Sequence, residues 1–108
     1  MTLVKACNTS DVTPGRLKLV RAGGKDLVIA NVGGEYHAME NWCTHEQGNL
    51  SEGNLNGNAV TCPDHGAQFD ITTGRAVMGA DGENPDSLQP EKVYKVKVQG
   101  NELMVDIP

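Results

Sequence analysis

Apolar and polar residues alternate with a period of two in several short stretches of the chain. Leu17 and Leu19 alternate with Arg16 and Lys18, Tyr94, Val96 and Val98 with Lys95 and Lys97, and Leu103, Val105 and Ile107 with Met104 and Asp106. Successive side chains of a strand point to opposite faces, so the pattern predicts half-buried antiparallel strands and an all-β chain. Turn signals punctuate them at Pro14-Gly15, Gly23-Gly24, Gly33-Gly34 and Gly100-Asn101, the last two closing tight hairpins. No helical period is sustained, and there is no internal repeat or low-complexity tract.

The texture changes between 41 and 83. Glycine and asparagine become frequent there, and the strand candidates shorten to 59–62, 68–72 and 75–78. Long irregular stretches in a small domain need a function or a tether. The expected organisation is therefore one domain over 1–108, with a base made of 1–40 and 84–108 and a separate lobe at 41–83.

A chain of 108 residues has no room for a second, catalytic domain, and it should bury roughly two-thirds of its unfolded surface. Aromatic side chains are limited to Tyr36, Trp42, Phe69 and Tyr94, so the core must come from Val, Leu, Ile and Ala. The net charge of -5, without a basic cluster beyond Lys92, Lys95 and Lys97, argues against nucleic acid and favours basic protein partners. Neither a secretory leader nor an apolar run of membrane-spanning length is recognisable, so the expected setting is cytoplasmic, with no membrane partner. Three cysteines, two of them beside histidines, do not suggest a disulfide framework, and Cys7 reads as a buried thiol.

The chemistry lies in the lobe. Cys43-Thr44-His45 is followed, after sixteen residues, by Cys62-Pro63-Asp64-His65. Each loop offers one thiolate and one imidazole. A 2Fe-2S centre with two Cys on one iron and two His on the other asks for such a set. Tetrahedral zinc also takes two Cys and two His, but its usual spacings pair like with like; a structural zinc module remains the alternative at this point.

These residues resemble the Rieske ferredoxin family. Cys43-Thr44-His45 with Leu50-Ser51-Glu52-Gly53 is similar to its first cluster loop, and Cys62-Pro63-Asp64-His65-Gly66-Ala67-Gln68-Phe69-Asp70 with Thr73-Gly74 to its second. The resemblance implies a Rieske fold, an antiparallel β-sandwich base with a small inserted cluster-binding lobe. It also implies a 2Fe-2S cluster held by Cys43, His45, Cys62 and His65, with the histidines near the surface. Asp64 departs from the family, which more often has an aromatic or apolar residue there; solvent screening of its charge is the competing expectation. High-potential members carry an extra cysteine in each loop and hydroxyl donors to the sulfurs. This chain has Gly48 and Asp64 near the former and Ala67 and Phe69 at the latter, so a potential near the low end of the Rieske range, about -150 mV, is expected.

A Rieske oxygenase also needs a mononuclear iron held by two histidines and a carboxylate, and only His37 is left for it. The resemblance therefore implies a monomeric one-electron carrier, not an enzyme by itself. Its donor would be an NAD(P)H-dependent reductase and its acceptor the terminal oxygenase of an aromatic-ring dioxygenase system, both transient partners. A small Rieske subunit of a nitrite reductase is the alternative assignment. His37 is expected to be an ordinary strand residue, Gly48, Gly53 and Gly57 generic turn formers, and Trp42 either a cover for the cluster or a contact between lobe and base. Asp81, Glu83, Asp86 and Glu91 are expected to form a solvated acidic loop.

Overall fold

The computed structural model describes residues 2–44, 48–64 and 66–108. The strands are β1 (Thr2–Asn8), β2 (Leu17–Ala22), β3 (Lys25–Val32), β4 (Glu35–Glu40), β5 (Asn54–Asn56), β6 (Ala59–Thr61), β7 (Gln68–Asp70), β8 (Ala76–Met78), β9 (Val93–Tyr94), β10 (Val96–Gln99) and β11 (Glu102–Ile107). Among the described residues the only helical pieces are single 3-10 turns. The all-β expectation holds, and every strand pair is antiparallel.

Three sheets form, in the orders β1-β11-β10, β2-β3-β4-β9 and β5-β6-β7-β8. Gly23-Gly24 and Gly33-Gly34 make the two-residue links of the β2-β3-β4 meander, and all four glycines have positive φ. That backbone matches the right-handed twist of paired strands, which an L side chain would resist. The third sheet is built entirely from residues 54–78, and its strand Asn54–Asn56 was not foreseen from the pattern.

Strand β3 lies between two cores. Leu27 and Ile29 on one face join Val20, Ala38, Leu103, Val105 and Tyr94 between the first two sheets. Val28 and Ala30 on the other face join Met39, Leu50, Val60, Phe69 and Ile71. All four residues of this Leu-Val-Ile-Ala run are fully buried, which is why it is continuously apolar instead of alternating. The second core contains both Cys43 and Cys62, so the base strand that supports the sandwich also supports the cysteine loops. Cys7 is buried in the first core, as expected, and burial, with help from nearby Asp11, pushes its thiol pKa up.

Candidate metal centre

Both cysteine loops close in the same way. The Cys43 amide donates to the Gly48 carbonyl at 2.9 Å, and the Cys62 amide donates to the Ala67 carbonyl at 2.7 Å. Each cysteine thus begins a six-residue loop whose ends are held together, and each sulfur-bearing residue is buried. In the second loop the Gly66 amide also donates to the Cys62 carbonyl at 3.2 Å, with Gly66 at φ +75. His45 and His65, the other two residues expected at the centre, lie outside the described residues.

The loops meet at Gly48. A Cβ on this residue would stand 2.5 Å from the Cys62 sulfur and 2.8 Å from Asp64 Oδ2. Gly48 is not in the positive-φ region; what it supplies is space. The same holds for Gly53, whose missing Cβ leaves room for the Thr61 carbonyl, whereas Gly57 has φ +59 with open space around it. Only Gly57 is therefore the turn former that the sequence suggested. Asp64 is exposed, yet its carboxylate lies over Gly48 beside the Cys62 sulfur, so positions 48 and 64 are neighbours across the two loops.

Ala67 and Phe69 are buried in the core that holds Cys62, and neither offers a hydroxyl. Two buried thiol-bearing residues in paired, glycine-relieved loops suit a sulfur-ligated cluster, which needs both thiolates in one water-poor place.

The first loop is anchored by a residue that pattern reading missed. Asn41 is fully buried; its Nδ2 donates to Asn49 Oδ1 at 2.9 Å, and its Oδ1 accepts from the Ser51 amide at 3.0 Å. Its backbone donates to Asp26 and accepts from Leu50, both at 3.0 Å. One amide side chain therefore ties the strand that enters the loop to the turn that leaves it. An asparagine before Trp-Cys carries no periodic signal, so the sequence reads it as ordinary loop polarity.

Trp42 is partly exposed and donates from Nε1 to Asp26 Oδ2 at 3.1 Å, while Arg21 pairs with Asp26 Oδ1 at 2.7 Å. Of its two expected roles, contact with the base is the one seen. The bonds from Trp42 and Arg21 hold the Asp26 carboxyl below its usual range. His37 is an ordinary position in β4, opposite Ala30, with Glu35 Oε2 at 3.8 Å from its Nε2.

Glu91 corrects the expected acidic loop. Asp81, Glu83 and Asp86 are exposed, but Glu91 is only 6% exposed. Burial and, less strongly, the Glu40 carboxylate push its pKa up to about 8, against a hydrogen bond from the Thr44 amide that favours the charged form.

The Rieske [2Fe-2S] domain family matches residues 2–95. The biphenyl dioxygenase ferredoxin subunit of Pseudomonas sp. (strain KKS102) is 36% identical over 107 residues, covering 98% of this chain and 93% of that protein. The solved ferredoxin of Sphingomonas yanoikuyae B1 superposes with a TM-score of 0.85 at 30% identity, covering 99% of this chain and all of that one. A ferredoxin solved in complex with the oxygenase of carbazole 1,9a-dioxygenase gives a TM-score of 0.81 at 35% identity, over 95% of this chain and 91% of that chain.

The chain belongs to the Rieske [2Fe-2S] domain family, and its fold is the Rieske fold. Within that family it is an electron carrier of the ferredoxin type, and the relatives named above are ferredoxin components of dioxygenase systems, not the oxygenases themselves.

Proposed function

We propose that Cys43 and His45 of the first loop, with Cys62 and His65 of the second, hold one Rieske 2Fe-2S cluster. The observation that carries the assignment is the packing of Gly48 against the Cys62 sulfur, which brings the two loops into one buried core with Cys43. When bound, such a cluster accepts and releases a single electron. The chain's own residues shape the conditions. Leu50, Val60, Phe69 and Ile71 keep water from the cysteine side, and the closed loops fix the cysteine backbones. Ala67 and Phe69 leave the sulfur side without hydroxyl donors, which supports a potential at the low end of the Rieske range, about -150 mV.

The electron is taken from an NAD(P)H-dependent reductase and delivered to the terminal oxygenase of an aromatic-ring dioxygenase system. The named relatives and the solved oxygenase–ferredoxin complex support the oxygenase as acceptor. Contacts of a shuttling carrier are small and short-lived, and a cytoplasmic monomer suits that use. No helix among the described residues is long and apolar enough to cross a membrane. The third sheet and the cysteine loops, within 41–83, act as a cluster lobe carried by a base of 1–40 and 84–108.

Visible absorption and low-temperature EPR of anaerobically purified protein test the assignment, before and after dithionite. The expected result is a coloured protein whose reduced form gives a rhombic signal with average g below the free-electron value, lost when Cys43, His45, Cys62 or His65 is replaced. A colourless, EPR-silent protein with stoichiometric zinc overturns it.

A further inference from the structure

Asp64 belongs to the second cysteine loop, between Cys62 and His65 in sequence. The room that Gly48 leaves is shared by two side chains, because a Cβ there would meet the Cys62 sulfur at 2.5 Å and Asp64 Oδ2 at 2.8 Å. The oxygen and the sulfur therefore lie no farther apart than those two distances laid end to end, and Gly48 has no side chain to hold them apart. The Gly48 carbonyl accepts from the Cys43 amide at 2.9 Å, so the carboxylate sits over the junction of both loops.

The two sides of this carboxylate differ. Asp64 is exposed, whereas Cys62 is only 3% exposed and lies in the core with Val60, Ala67 and Phe69. Salt screens charges that face each other across solvent, but an interaction directed at a buried group at short range is screened much less. No Lys or Arg among the described residues pairs with Asp64, so no neighbouring cation cancels its charge. Two thiolates and two neutral imidazoles balance the charge of an oxidised 2Fe-2S core, and one added electron leaves the reduced centre with a net negative charge. At a separation of roughly 5 Å, and an effective dielectric between about 20 and that of water, one opposing unit charge shifts such an equilibrium by on the order of tenfold.

We propose that Asp64 is a potential-setting residue of the carrier: its carboxylate, placed beside the Cys62 sulfur, makes the cluster harder to reduce. The proposal rests on the assignment of Cys62 as a ligand. Asp64 acts as a fixed charge and works in the same direction as the lack of hydroxyl donors at Ala67 and Phe69. Gly48 is its structural counterpart, since a larger residue there would drive the carboxylate away from the sulfur. A centre that resists reduction also gives its electron up more readily, which suits a carrier that must unload onto an acceptor.

The test is a redox titration of the cluster-loaded protein at neutral pH, followed by its visible absorption, for the unaltered chain, Asp64→Asn and Asp64→Lys. Asparagine keeps the shape and removes the charge; lysine reverses the charge. One electron enters and no bond forms or breaks. Reduction should become easier by on the order of tenfold in Asp64→Asn, an upward shift of about 59 mV for a single electron, and easier again in Asp64→Lys. A potential unmoved by asparagine overturns the proposal, because solvent then screens the charge completely. Equal shifts in asparagine and lysine overturn it as well, since charge would not be the cause. Should lysine impede cluster assembly, Asp64→Ala makes the second comparison: alanine, neutral but of a different shape, should match asparagine, and a different potential overturns the proposal. The EPR signal of the reduced, unaltered chain reads the ligand assignment separately. Absence of a Rieske signal fails that assignment and the proposal with it, whereas an intact signal with an unmoved potential fails the proposal alone.

Discussion

Replacing Gly48 by alanine adds one methyl group at the tightest point between the two cysteine loops. The new Cβ would lie 2.5 Å from the Cys62 sulfur, 2.8 Å from Asp64 Oδ2 and 3.3 Å from Asp64 Cγ. Relaxed contacts between non-bonded heavy atoms lie at roughly 3.5–4.0 Å, so the loops must part by about 1 Å. The Asp64 side chain is exposed and can swing away, but Cys62 is held by its amide bond to Ala67 and by burial among Val60, Ala67 and Phe69. Gly48 is held in turn by the Cys43 amide. Overpacking of this kind costs about 1–3 kcal/mol, which in a chain of this size lowers the melting temperature by roughly 5–12 °C. The larger effect should fall on the metal centre, because the cysteine that must move is a proposed ligand. Iron per chain and thermal unfolding are to be measured on Gly48→Ala and on Gly57→Ala. At Gly57 the Cβ meets nothing, but φ is +59, so backbone strain of about 1 kcal/mol is the whole cost and iron content should be normal. A Gly48→Ala protein with full iron content and an unchanged melting temperature would refute the reasoning, as would equal iron loss at Gly57.

Two further perturbations probe the scaffold. Asn41→Ala removes both side-chain bonds to the Asn49–Ser51 turn and leaves their partners unsatisfied, so urea unfolding should show a loss of about 2–4 kcal/mol; a loss below about 1 kcal/mol contradicts the anchoring role. Glu91 gives a pH dependence whose sign follows from its raised pKa. Between the ordinary value of 4.5 and about 8 the folded state binds the proton more tightly than the unfolded chain does, so this group makes stability fall as pH rises through that window. Urea midpoints measured between pH 5 and pH 8.5 should therefore slope less steeply downward in Glu91→Gln than in the unaltered chain, and identical slopes would reject the assignment of this titration to Glu91.

The alternation of apolar and polar residues is a local property, and it located the strands that face water on one side, such as Leu103, Val105 and Ile107 in β11. The glycine pairs marked hairpins because positive φ is also decided within two residues. The spacing of Cys43-Thr44-His45 and Cys62-Pro63-Asp64-His65 marked a candidate metal centre because ligand chemistry restricts residue types strongly. Each of these signals is contained in a few consecutive positions, which is why the strands, the turns and the ligand candidates were legible from the sequence.

Other features depend on what distant segments bring together, and only the tertiary structure decided them. Gly48 and Gly53 look like the glycines of any loop, yet their role is to leave room for a sulfur of the second loop and a carbonyl of β6. Asn41 looks like loop polarity until burial removes water as its partner and leaves Asn49 and Ser51 to satisfy it. Glu91 looks like the last member of an acidic run, and it is buried because the Gly74 turn and the end of β4 capture the backbone on either side of it. The physical reason is the same in each case: steric room, burial and hydrogen-bond satisfaction are set by the sum of neighbours from separate parts of the chain, and no local pattern encodes that sum.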